Sequence, residues 1–182
     1  AMRKLGFTTA HVVPEGKMLP GKGAIIALAG ESANDMILME DVSLFAQLQG
    51  AGGVSPATVI GVMSKLRDLY KQAEQAKTHQ TSFMKAPSGM QRPSQDPVME
   101  AFYPVIDGKQ YVYMKAMNMK DISRALTLQK DLGYKLALVE VQQGWRYGEA
   151  LKNMPIYRSL ELPKKPKETK PRPFFPIPTE KQ

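Results

Sequence analysis

Apolar positions in this chain alternate between strand-like runs and helical spacing, and the clearest alternation lies between Gln110 and Trp145. Tyr111-Val112-Tyr113-Met114-Lys115-Ala116-Met117 is short, aromatic and β-branched at its start, and follows the turn signal Asp107-Gly108. Asn118 then suits a helix N-cap, with Ile122, Ala125, Leu126 and Leu128 on one face. Gly133 stands where a helix end favours positive φ. The run Lys135-Leu136-Ala137-Leu138-Val139-Glu140-Val141 is nearly unbroken, as in a strand covered on both faces. Strand, crossover helix and buried strand predict a right-handed βαβ unit with parallel strands. Ligands of such units collect at the carboxyl ends of the strands. Here those ends are Lys115-Ala116-Met117 and Glu140-Val141-Gln142-Gln143.

The rest of the pattern is built around this unit. Phe7 to Val13 and Ala24 to Leu28 are expected strands, separated by Pro14-Glu15-Gly16 and Leu19-Pro20-Gly21-Lys22-Gly23. The two glycines of the second segment do not make a phosphate loop, which needs Gly-Lys-Ser/Thr opening a helix. They are read as a tight turn permitting close backbone approach. Met36 to Met39 predicts a third short strand, and Val42 to Ala46 continues as apolar, partly helical sequence. Ser55-Pro56 signals a helix start, with Val59, Val62, Met63, Leu66, Leu69 and Tyr70 at helical spacing behind it. Residues 86–97 have the composition of a mobile loop, and Asp96-Pro97 starts another helix. Gly144 to Asn153 reads as a short helix and Pro155 to Leu160 as a final strand. The expected organisation is one α/β domain over 1–162 and a Pro/Lys-rich tail or linker over 163–182.

Composition narrows the chemistry. The 182 residues contain no cysteine, which excludes disulfides and thiolate chemistry and leaves the redox compartment open. Two histidines, His11 and His79, fall on different predicted elements, so no His-rich metal site is assembled from this chain. The net charge is +8, but half of it sits in the proline-rich tail, where Phe174-Phe175 is the sole aromatic pair. A solvated linker fits that pattern better than a nucleic-acid arm, which would interleave aromatics for stacking. No apolar stretch approaches the roughly 20 residues of a membrane helix. Nor is there a charged n-region followed by an apolar run, and the chain reads as beginning inside something longer.

Several segments together resemble a known family. Gly6-Phe7-Thr8-Thr9-Ala10-His11-Val12-Val13-Pro14 and Leu19-Pro20-Gly21-Lys22-Gly23 are similar to the interior of the amidohydrolase superfamily, in its imidazolonepropionase-like branch. Phe102-Tyr103-Pro104-Val105-Ile106-Asp107-Gly108-Lys109, the βαβ unit and Leu160-Glu161-Leu162-Pro163 extend the resemblance in the same order. It implies a metal-dependent (β/α) TIM barrel that hydrolyses amide-like C–N bonds with a metal-activated water. At 182 residues the chain is short for a whole barrel of about 250 residues. The expected fold is therefore a partial barrel: parallel βαβ units preceded by an N-terminal strand layer.

The resemblance also implies where a site would lie, and there the chain departs from the family. Active relatives end the strand resembling Tyr111–Met117 in His-Ala-His, where this chain has Lys115-Ala116-Met117. The next strand's histidine is replaced by Glu140, and the first His-x-His motif would precede Ala1. The family's catalytic aspartate would fall beyond Gln182. No catalytic residue or metal ligand is carried over, although relatives would hold zinc or another divalent metal. Two readings of the altered mouth stand side by side. Either Lys115 is carboxylated and bridges metals with Glu140 as a further ligand, or Lys115 and Glu140 form a salt bridge across a dead site. The expected function is thus a fragment or degenerate domain of an amidohydrolase-like hydrolase, without turnover of its own. The alternative is a non-catalytic binding or scaffold module, with a pocket around Lys115, Met117, Glu140, Gln142 and Gln143 for an anionic ligand. An open half barrel exposes strand edges, so the expected partners are the rest of a parent protein or a second copy, with no nucleic acid and no membrane.

Overall fold

The computed structural model describes residues 2–158. After a 3-10 turn at Met2–Leu5, β1 (Thr9–Val12), β2 (Gly21–Ala27) and β3 (Ile37–Gln47) form an antiparallel meander. Helix α1 (Val59–Lys85) follows, then the single turns α2 (Pro97–Glu100) and α3 (Tyr103–Ile106). Next come β4 (Tyr111–Lys115), α4 (Met119–Leu132) and β5 (Leu136–Val141). A 3-10 turn at Trp145–Tyr147, α5 (Gly148–Leu151) and β6 (Ile156–Arg158) close the described chain. All six strands belong to one sheet in chain order, with β3, β4, β5 and β6 parallel to one another. The result is an open half barrel flanked by helices, a partial (β/α) barrel. Among the described residues no helix is long and apolar enough to cross a membrane.

The core lies between the outer face of the sheet and the helices. Leu44 and Ala46 of β3, Val112 and Met114 of β4, and Leu136 and Leu138 of β5 pack against Val62, Leu66 and Leu69 of α1 and Ile122, Ala125 and Leu128 of α4. Ion pairs clamp the helical layer at its rim: Arg67 with Asp131 at 2.6 Å joins α1 to α4, and Lys77 with Asp107 joins α1 to the end of α3. The predicted caps of α4 are present. Asn118 accepts from the Asp121 backbone N–H at 3.0 Å, and Gly133 ends the helix at φ 74°.

Three expectations need correction. Val42–Ala46 is not helical: it is the second half of β3, an eleven-residue strand that continues past Asp41 at φ 54°. Its run of consecutive apolar residues reflects burial on both faces in the parallel part of the sheet, not helical periodicity. The expected N-terminal strand layer is present as β1 and β2, which extend the same sheet. Gly21 and Gly23 lie within β2 instead of in a turn before it. Finally, α1 starts at Thr58, whose hydroxyl accepts from Gly61 N–H at 3.2 Å, three residues past the Ser55-Pro56 signal. The Gly144–Asn153 region is a 3-10 turn and a single α turn. Residues 86–96 carry no regular structure, and Asp96 caps α2 as expected. Ser159 and Leu160 of the expected final strand lie outside the described residues, as does the 163–182 segment.

Candidate functional site at the mouth of the half barrel

Side chains alternate across a strand, so the sheet's second face is set by the same register as the core. Ser43, Phe45 and Gln47 of β3 lie level with Tyr111, Tyr113 and Lys115 of β4, and Tyr113 and Lys115 lie level with Ala137 and Val139 of β5. Tyr157 of β6 completes the row beside Val139. This is the barrel-side face, and its carboxyl end is the mouth.

A bulge builds the mouth. Strict alternation along β5 would send Glu140 to the helix side with Leu136 and Leu138. Instead the β5–β6 register shifts between Val139 and Val141, and Glu140 takes φ 58°. Val141 then returns to the helix-side core, and Glu140 reaches the Lys115 ammonium at 2.7 Å. Re-aiming one side chain is what a bulge does. A left-handed conformation costs a non-glycine residue about 1–2 kcal/mol. The pair remains wet, with side-chain exposures of 35% for Lys115 and 39% for Glu140.

The pair borders a pocket of about 710 Å³ lined by Phe45, Gln47, Gln49 and the Val13–Lys17 loop with Pro20. Gln47 straps that loop across the mouth: its backbone N–H donates to Met18 O at 3.0 Å and its side-chain amide to Gly16 O. Gly16 itself has no room for a side chain, since a Cβ would sit 2.9 Å from Pro20 Cα.

The other residues expected in the site are placed differently. The backbone N–H groups of Gln142 and Gln143 both donate to Met117 O, and the Gln143 side-chain Oε1 accepts from Met119 N–H at 3.4 Å. These residues tie the end of β5 to the start of α4. Gln142 lines a separate groove with Trp145, Leu151 and Arg158. Met117 is exposed.

Below the mouth lies a polar cluster that sequence reasoning missed. His11 Nε2 and Ser43 Oγ are 2.8 Å apart, and the imidazole meets the Tyr113 ring edge-on at 5.0 Å. Tyr113 stacks on Tyr157 at 5.6 Å, with their hydroxyls 3.4 Å apart. In a flat sheet β1 and β4 would stand about 14 Å apart, so the His11–Tyr113 contact records the curl of the half barrel. Gly23 permits the cluster, because a Cβ there would lie 2.5 Å from both His11 Nε2 and Ser43 Oγ. Burial lowers the His11 pKa below its usual value of 6.5. Burial first, and then the Tyr157 hydroxyl, pushes Tyr113 up to about 12. The sequence signal was Gly23, read as permitting close backbone approach but expected in a turn, whereas it lies inside β2. Ser43 is fully buried, so the His11–Ser43 pair is a satisfied structural contact, not an exposed nucleophile. His79 lies within α1, away from the sheet.

The mouth does not suit a divalent metal. Among the described residues there is no group of three or more His, Cys, Asp or Glu side chains able to hold one. The mouth's two carboxylates are Glu140, already paired with the Lys115 ammonium, and Glu15, which are too few donors for a metal cage, and the Met117 thioether lies outside the pocket.

A half barrel with its pocket at the carboxyl ends of parallel strands belongs to the (β/α) barrel class of folds. Within that class the structure is similar to a solved amidohydrolase from Thermotoga maritima MSB8, with a TM-score of 0.75 and 19% identity. The match covers 85% of this chain and 43% of the other, so the chain spans less than half of that protein's length. At this identity the likeness establishes the fold. No family model and no curated protein matches the sequence.

Proposed function

We propose that this chain is part of an amidohydrolase-like barrel whose mouth has lost its metal site, and that it does not itself hydrolyse C–N bonds. The observation that carries this reading is the Lys115–Glu140 ion pair at 2.7 Å. It occupies adjacent parallel strand ends, where the sequence resemblance to the imidazolonepropionase-like branch would put metal-binding histidines. An ammonium and a carboxylate that neutralise each other leave little for a divalent cation, which needs deprotonated nitrogen, sulfur or oxygen donors. Catalysis by metal-activated water would have to come from donors outside the described residues. The similarity to less than half of a solved amidohydrolase supports a partial barrel, completed by further polypeptide or by a second copy at the edges of β1 and β6.

The test is metal uptake and turnover by the 182-residue chain. After incubation with zinc, cobalt or manganese and desalting, elemental analysis should find well below one equivalent of metal. Hydrolysis of N-acyl amino acids and cyclic amides should stay at the buffer rate. One equivalent of metal in the wild type that disappears in Lys115→Ala would overturn the reading and establish the carboxylated-lysine site.

The pocket beside the pair supports a second reading, a non-catalytic binding module. Its volume is within the range of small-molecule sites.

A further inference from the structure

We infer that the mouth pocket is a binding site for a zwitterionic α-amino acid, its carboxylate taken by Lys115 and its ammonium by Glu140. The inference rests on the metal-free reading of the mouth given above.

Four ionised side chains line the pocket, Lys17 and Lys115 against Glu15 and Glu140, so its formal charge is zero. A simple anion drawn to Lys115 must compete with Glu140 and leave that carboxylate without its partner. A simple cation at Glu140 does the same to Lys115. In either case one contact is exchanged for another and one charge is left unmatched, with no net gain in charge complementarity. A ligand carrying both charges on neighbouring atoms leaves none unmatched, converting one ion pair into a closed ring of alternating charges. In an α-amino acid the two groups sit on one carbon, at a spacing close to that of the 2.7 Å pair.

An ammonium has three donors and a carboxylate about four acceptor positions, and their mutual contact uses one of each. The partial exposure of both side chains leaves the remainder facing the cavity or water. Charge-assisted hydrogen bonds of this kind are about twice as strong as neutral ones.

Glu140 points into the mouth only because a bulge and a left-handed backbone put it there. Strain of this kind concentrates at ligand clamps and active sites. The loop strapped by Gln47 walls the same pocket, and Phe45 offers an apolar surface for the ligand's side chain.

The experiment is calorimetric titration of the 182-residue chain with glycine, L-glutamine and L-leucine. Two matched controls each lack one charge of leucine: 3-methylbutylamine and 4-methylpentanoate. At least one amino acid should bind saturably at millimolar concentration or tighter, and each leucine control should bind at least tenfold more weakly than leucine. Lys115→Met and Glu140→Gln should each weaken binding tenfold or more, with unchanged circular dichroism spectra. Glu140→Gly removes the same carboxylate while relaxing the backbone, so it serves if Glu140→Gln is poorly folded. Saturation by either control as tight as by leucine overturns the inference, as does binding that ignores all three substitutions, or no saturation by any of the three amino acids. Metal uptake in the preceding test overturns the metal-free mouth. Failure to bind amino acids by a chain that also takes up no metal overturns this inference alone.

Discussion

The two faces of the one sheet follow different rules. On the outer face Leu44, Ala46, Val112, Met114, Leu136 and Leu138 are uniformly apolar and nearly inaccessible, sealed under α1 and α4. On the barrel face the same strands carry Ser43, Gln47, Tyr111, Tyr113 and Lys115, held by hydrogen bonds, ring contacts and an ion pair. The outer face contributes most of the apolar burial that drives folding. The barrel face is left with polar groups that must each find a partner, and that is where chemistry can vary without loss of the fold. A half barrel can therefore keep its framework while the groups at its mouth vary.

The difference predicts a ranking of substitutions. Leu138→Ala, at the sealed face, should cost about 2–5 kcal/mol. Lys115→Ala, one strand away on the other face, should cost less than about 1 kcal/mol, because the pair is solvated. Urea unfolding of the two variants measures both. Equal losses would mean that the barrel face is as tightly built as the outer one.

A smaller effect tests the bulge. Glu140→Ala and Glu140→Gly delete the same ion pair, but only glycine accepts φ 58° freely. The glycine variant should be the more stable of the two by about 1 kcal/mol. Identical midpoints would show that the left-handed conformation is not imposed by the strand.

The smallest expected effect concerns His11. Its folded pKa lies below the unfolded value of 6.5, so the unfolded chain takes up the proton first as pH falls. The stability associated with neutral His11 is complete above pH 6.5 and declines below it. Between pH 7.5 and 5.5 the wild type should lose more stability than His11→Gln, as read from urea midpoints at each pH. Parallel losses would place the imidazole in water and detach β1 from the curl of the sheet.

The βαβ unit from Tyr111 to Val141 is where the sequence reading and the structure agree most fully. Its strands, the Asn118 cap, the Gly133 terminus and the parallel pairing of β4 with β5 were legible because each rests on local rules of period and capping. The long β3 was not. An apolar run such as Val42–Ala46 has no period to distinguish strand from helix, and its neighbours β2 and β4 settle the matter through pairing. The site divides in the same way. Lys115 and Glu140 could be singled out from their positions at strand ends. Gln47 and the Val13–Lys17 wall could not, because they join the pocket only through contacts about 30 residues apart in sequence.

By itself the sequence determined the class of the fold, the ends of the central helix and the absence of imidazoles at the two strand ends, since periodicity, capping and residue identity are local properties. The tertiary structure decided that His11 lies against Tyr113, that Glu140 turns inward to Lys115, and that the mouth is a neutral pocket. Those outcomes depend on the curl of the sheet and on a one-residue bulge, and both arise from pairing between strands distant in the chain.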